Sequence, residues 1–179
     1  MEEKIRLAVF GQKRLSREGG IEIVVKELCT RMAQNGCDIT CYNRAGHHVS
    51  GAEYDKTIEY DGIRQKVVPT IEKKGLAAVS SSFFAALYSA FGRYDVVHIH
   101  AEGPAFFCWI PKLFGKRVIS TIHGECEIIR GCHNRDKGTA ENERLRNPKF
   151  IFSYPKNERR IFLGGSNAIQ KEISTMRVG

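Results

Sequence analysis

Gly19 and Gly20 stand where a polar loop meets the first apolar stripe of the chain. Without a Cβ they let a ligand approach the backbone, and a helix starting there points free N–H groups outward. Phosphate is the anion that suits such a mouth, with Lys13, Arg14 and Arg17 adding charge beside it; a plain flexible turn is the other reading. The dinucleotide fingerprint G-x-G-x-x-G is absent, because Gly11 is followed by a seven-residue gap before Gly19. His98 and His100 bracket Ile99. Strand alternation sets both on one face, so one can reach a rim while the other packs lower, though histidines so placed are more often structural. His123 precedes Gly124, which leaves room beside it, and a neutral imidazole there could exchange hydrogen bonds with a sugar hydroxyl. Glu102 and Glu125 are candidate acids or bases, with exposed loop glutamates as the plainer reading. No G-x-S-x-G elbow or strand-end carboxylate pair appears. His47-His48 reads as a solvated loop.

The elements that must hold these residues alternate. Glu3 to Gly11 is a short, nearly continuous apolar run, the pattern of a strand buried on both faces of a parallel sheet. Ile21, Val24, Val25, Leu28 and Met32 then recur at helical spacing until Asn35-Gly36 stops them. Cys37 to Tyr42 is a second strand, and Thr57 to Ile71 alternates about the hairpin dipeptide Asp61-Gly62. Gly75 to Gly92 predicts a helix with Leu76, Val79, Phe83, Leu87 and Ala90 on one side. Strands at Tyr94–His100 and Lys116–His123 flank a short apolar helix over Phe106–Phe114. Glu125 to Glu158 is charged, Asn-rich and aperiodic, and reads as a long loop with one exposed helical turn. A last strand, Arg160–Gly165, leads to a Ser166-capped helix over Asn167–Arg177. The expected fold is α/β, a Rossmann-like, mostly parallel sheet with helices on both faces, in one domain over residues 1–179. Ligands of such sheets bind beyond the carboxyl ends of the strands, here after Phe10, Ile99, Ile122 and Leu163.

At 179 residues the chain can bury one sizeable core. No apolar run reaches the length of a membrane span, and Met1-Glu2-Glu3-Lys4 is not a signal region, so a cytoplasmic location is expected. None of the six cysteines forms a C-x-x-C pair, which suits free thiols in a reducing compartment. Cys126, Cys132 and His133 lack a fourth ligand, so no metal is expected. The net charge of +8 admits a phosphorylated substrate, an anionic membrane surface or nucleic acid. Nucleic acid is the weakest of the three, because no basic motif interleaved with aromatics accompanies the charge.

Three segments carry a resemblance: Ile5–Gly11 with Gly19–Leu28, Tyr94–His100, and Val118–Gly124. In that order they resemble the N-terminal domain of family 4 glycosyltransferases, which have the GT-B fold, and Arg160–Glu172 is similar to the strand and helix near the end of that domain. The wording around Gly19-Gly20 and Tyr42–Ser50 resembles bacterial members that build surface polysaccharides. The resemblance implies retaining transfer from a nucleotide-sugar donor to a glycan or lipid-linked acceptor, without a catalytic metal or other cofactor. It places Gly19 and Gly20 beside the donor phosphates and the acceptor, with Arg17 and His100 nearby, and matches His123 to the family's histidine at the donor sugar. The family's main nucleotide-binding residues lie in a second Rossmann-like domain. The expectation is therefore an N-terminal half of a GT-B fold, a fragment, a truncated product or one chain of two, inactive without its C-terminal partner and peripheral at the inner membrane surface. The alternative is a stand-alone Rossmann-like module that binds a phosphorylated metabolite or an anionic membrane.

Overall fold

The computed structural model describes residues 4–15, 20–46, 58–122, 150–154 and 160–162. Its elements run β1 (Arg6–Phe10), α1 (Gly20–Gln34), β2 (Asp38–Arg44), β3 (Glu59–Tyr60), β4 (Ile63–Val68), α2 (Leu76–Phe91) and β5 (Val96–His100). There follow α3 (Glu102–Ala105), a 3₁₀ turn (Phe106–Cys108), α4 (Trp109–Leu113), β6 (Arg117–Ile122), β7 (Phe150–Tyr154) and β8 (Arg160–Phe162). The strands form one sheet in the order β3-β4-β2-β1-β5-β6-β7-β8. Strands β4, β2, β1, β5 and β6 are mutually parallel, while β3, β7 and β8 join antiparallel at the two edges. The expected mostly parallel α/β sheet is what the chain forms. The chain winds outward from β1 in both directions, so the switch point lies between β1 and β5.

Alternation along each strand feeds two cores. Leu7 and Val9 meet α1 through Val25, Leu28, Cys29 and Met32, as the helical stripe predicted. On the other face Ala8, Phe10, Val97 and Ile99 meet α2 and α4 through Ala85, Ala86, Ala90 and Ile110. Each fully buried Leu, Ile or Phe contributes about 1.5–3 kcal/mol, which makes these two layers the main stabilising term. Cys29 and Cys41 are free thiols, fully buried, with Sγ atoms 3.8 Å apart. The hydrogen bond shared with Cys29 and burial in apolar packing push the Cys41 thiol well up. At the sheet edge Asp61 and Gly62 both take positive φ, 50° and 75°, the geometry of the tight hairpin that Asp-Gly predicts.

Two features depart from the expected pattern. The first is in α2, whose predicted apolar side mostly points outward: Leu76, Val79 and Phe83 are exposed, Leu87 is half-buried and only Ala90 is buried. The sheet instead receives Ser80, Ser81, Ser82, Ala85, Ala86 and Ser89. These side chains are small enough to let the helix lie close to the strands, and the serine hydroxyls donate to carbonyls one turn back (Ser82 to Ala78 O, 2.7 Å; Ser89 to Ala86 O, 2.8 Å). The segment is apolar on nearly every side, so periodicity alone did not select its buried face. The second is β7, which falls inside the stretch read as a loop. Phe150-Ile-Phe-Ser-Tyr154 is aromatic and β-branched, suited to a strand, but charged neighbours hid it. The predicted helix over Asn167–Arg177 lies outside the described residues.

At the start of β1, Arg6 donates its backbone N–H to Asp95 Oδ2 (2.8 Å) and its Nη2 to Oδ1 (3.0 Å). Partial burial pushes the Asp95 pKa up, but the Arg6 hydrogen bonds and the charges of Arg6 and Lys116 outweigh it, so the carboxyl titrates below its ordinary value. A depressed folded-state pKa gives stability that is present above the unfolded value of about 3.9 and lost as pH falls through the folded one. Asp95→Asn should therefore flatten the acid limb of the stability curve below about pH 4. The pair is solvent-accessible, so the effect at neutral pH should stay under about 1 kcal/mol, read from urea midpoints across pH.

Candidate functional site

Gly11 ends β1 at the switch point with φ 115°. A Cβ there would fall 1.9 Å from the backbone oxygen of His100, so the two strand ends are pressed together as only glycine permits. Ala101, directly after β5, holds φ 74° and ψ 156°, a region that glycine occupies almost alone. Its N–H donates to Thr121 O (2.9 Å), which ties the strained turn to β6. Strain of this kind collects where the backbone must serve a site. Ala101→Gly should raise stability by roughly 1 kcal/mol through release of that strain, net of the entropy glycine adds, visible as a higher melting temperature.

From Gly11 the chain turns away from the switch point and folds over the end of β2. Gln12 is buried and donates Nε2 to Tyr42 O (3.3 Å), while its Oε1 has no hydrogen-bond partner. The Leu15 N–H donates to Asn43 Oδ1 (3.2 Å), and Asn43 donates in turn to Gln65 Oε1 (2.7 Å). Lys13 N–H donates to Glu22 Oε1 of α1 (3.2 Å), while its carbonyl accepts the Arg44 N–H (2.8 Å). Arg14, expected beside a phosphate, is 1% exposed and donates Nη2 to Arg44 O (3.2 Å), so it braces β2 from within.

These contacts bound a cavity of about 430 Å³ at the carboxyl ends of β2 and β4. Lys13, Arg44, Lys73 and Lys74 line it, with Glu72 and Thr70. Thr70 Oγ1 accepts the Ala45 N–H (3.1 Å), which joins the segments after β2 and β4, and Ser80 Oγ accepts the Ile71 N–H (3.0 Å), which ties the second of them to α2. Burial lowers the Arg44 pKa and the Glu22 charge partly offsets this, so the guanidinium stays cationic. Four cations against one carboxylate at the start of a sixteen-residue helix with no acid in its first turn make a cavity suited to an anion.

The other described site candidates do not line this cavity. Gly20 opens α1 and is exposed, with nothing within 4 Å of where a Cβ would stand. Among the described residues, packing therefore does not require glycine there. His100 is fully buried, its ring centroid 4.1 Å from that of His98. His98 Nε2 shares a 2.8 Å hydrogen bond with Thr121 Oγ1. Glu102 is exposed at the start of α3. Arg17, Gly19 and His123 lie outside the described residues, as do His47, His48, Glu125, Cys126, Cys132 and His133. Arg44, Lys73 and Lys74 were not among the candidates, because the cavity lies beyond β2 and β4 rather than after β1, β5, β6 or β8. The signal was present in the doubled lysine before Gly75, set at the start of a predicted helix.

An open parallel sheet with its crossovers about a β1/β5 switch point defines a Rossmann-like domain. Residues 18–173 match the family model described as Glycosyltransferase Family 4, and the chain belongs to that family. No curated protein matches the chain. Among solved structures, the PH0226 protein from Pyrococcus horikoshii OT3 is similar at 10% identity and a TM-score of 0.36, over 98% of this chain and 74% of that one, which is too distant to carry an argument.

Proposed function

We propose that this chain is the acceptor-side half of a retaining glycosyltransferase, which moves a sugar from a nucleotide-sugar donor to a glycan or lipid-linked acceptor at the cytoplasmic face of a membrane. The cationic cavity at the ends of β2 and β4, inside a family 4 domain, is the observation that carries this reading. In it the cavity holds the anionic part of the acceptor through Lys13, Arg44, Lys73 and Lys74. Gly19 and Gly20 leave the first helix amides open to the donor phosphates, with Arg17 adding charge, His123 at the donor sugar and His100 supporting the rim from within the sheet. Catalysis then consists of placing donor and acceptor together and stabilising the departing diphosphate by fixed dipoles and cations, with no metal ion or other cofactor. A second, donor-binding half supplies the rest of the nucleotide site, and without it the chain is inactive.

The test measures nucleoside diphosphate release from a panel of nucleotide sugars, with glycan and polyprenyl-phosphate-linked acceptors, by this chain alone and together with a donor-binding half. Turnover only in the combined sample, with the anomeric configuration of the product retained, is the expected result. Turnover by the single chain would overturn the half-enzyme reading. Tight binding of a small phosphate ester with no sugar transfer in either sample would favour the stand-alone binding module.

A further inference from the structure

A second cavity, of about 670 Å³, lies beside the starts of β1, β2 and β4, at the C-terminal end of α2. Ala77 lines the first cavity and Tyr88 this one, three helical turns further on, a rise of about 16 Å. Aromatic rings form one part of its lining. Tyr88 is 43% exposed and Phe91 67%. Behind them the Tyr42 ring lies 6.2 Å from that of Tyr88 and 6.3 Å from that of Tyr94, centroid to centroid. The Tyr42 and Tyr94 hydroxyls share a hydrogen bond of 3.0 Å. That bond uses one of their two hydrogens, and the other has no acceptor among the described residues. Tyr42 is 3% exposed, and both residues line the cavity, so a donor is held ready at its inner wall.

Cations form the other part. Arg6 is held by Asp95 and Arg64 by Asp38. Lys66 and Arg93 also line the cavity, are exposed, and have no ion-pair partner among the described residues. Strand alternation sets Lys66 on the same face of β4 as Val68, the face that packs toward α2. Two uncompensated charges match a phosphate monoester, which carries about −1.5 to −2 near neutral pH. A bare phosphate ion would fill a small part of the space and leave the rings in water. An acidic peptide would bring carboxylates without the flat ring that these aromatic side chains can stack upon. A nucleoside phosphate brings both, a base for the rings and a compact double charge for lysine and arginine.

We propose that this cavity is a second ligand site, which binds a nucleoside phosphate at the amino ends of the strands. The base lies against Tyr88 and Phe91, the sugar hydroxyls meet the Tyr42–Tyr94 pair, and Lys66 and Arg93 hold the phosphate. The proposal is independent of the sugar-transfer reading, whose residues stand at the carboxyl ends. Where both hold, α2 connects the nucleotide at one end with the acceptor cavity at the other.

The full chain is titrated by calorimetry with uridine and guanosine monophosphates, beside ribose phosphate, the free nucleosides and inorganic phosphate. Saturable binding of at least one nucleotide, with a Kd below about 1 mM, is expected. The compounds that lack the base or the phosphate should bind at least about tenfold more weakly. Lys66→Gln with Arg93→Gln should weaken the nucleotide by about tenfold or more, with the circular dichroism unchanged because both side chains are exposed. The start of α1 is itself a candidate phosphate mouth, so the position is read separately. An azido-nucleotide photolabel, mapped by mass spectrometry, should mark the segment from Phe83 to Tyr94 rather than the one around Gly20. The proposal falls if no nucleotide binds saturably, or if ribose phosphate or inorganic phosphate binds equally well. It also falls if the double variant binds as the parent does, or if the label sits around Gly20. None of these outcomes decides sugar transfer, which the reconstituted assay reads separately.

Discussion

Gly11→Ala is expected to lower folding stability by at least about 3 kcal/mol, the largest single-residue effect in the domain. Two costs act together. The backbone at φ 115° is one that alanine rarely adopts, and the new methyl would stand 1.9 Å from the His100 carbonyl oxygen. That oxygen belongs to the central sheet and cannot swing aside like the end of a side chain. Relief requires β1 and β5 to part, although they pair from Leu7 against Val96 to Phe10 against Ile99. Urea unfolding with an unchanged m-value would read the loss, and a change under about 1 kcal/mol would show that the strand ends are not pressed together. Gly20→Ala is the matched control: its Cβ meets nothing within 4 Å and joins a helix, so stability should hold or rise by up to about 1 kcal/mol. If that alanine nevertheless weakens donor binding, the two glycines serve different ends, one packing and one access.

Reversing both lysines of the cationic cavity, Lys73→Glu with Lys74→Glu, should weaken binding of a phosphate-bearing acceptor by roughly thirtyfold. The cavity would pass from four cations and one carboxylate to two cations and three. Both lysines are exposed, so the fold should persist, and the loss should shrink in high salt as screening removes the repulsion. In the proposed two-domain enzyme the effect belongs in the acceptor KM, with the donor KM unchanged. An unchanged acceptor KM would remove this cavity from the acceptor site.

The sequence made the architecture legible wherever an element had one buried face or none exposed. The run Leu7-Ala-Val-Phe10 pointed to a central strand, and Val25, Leu28 and Met32 pointed to the buried side of α1. It failed at α2, because a helix apolar all round offers no contrast, and the contact that mattered was made by serines that ordinary patterning assigns to solvent. It failed at β7, where four strand-forming residues sat in a charged stretch. At the site, the glycine at the end of β1 was visible but its reason was not, since the clash involves a carbonyl 89 positions away in the chain. Arg14 read as a ligand-facing cation and proved a buried brace, because sequence shows charge but not the direction of a side chain. Lys73 and Lys74 were readable in kind but not in place, as only the sheet order brings the β4–α2 connection beside Lys13 and Arg44.

The position of β1 also governs how the chain can fold. Made first, β1 finds β2 after one short crossover, but its other neighbour, β5, begins near Asp95, 89 residues beyond Arg6. Until that span has been synthesised, one edge of this apolar central strand is left open to wrong partners, and closing so long a loop is slow. Chains cut short before β5 should therefore aggregate rather than form a smaller native sheet, and the rate-limiting event in refolding should be the arrival of β5 against β1.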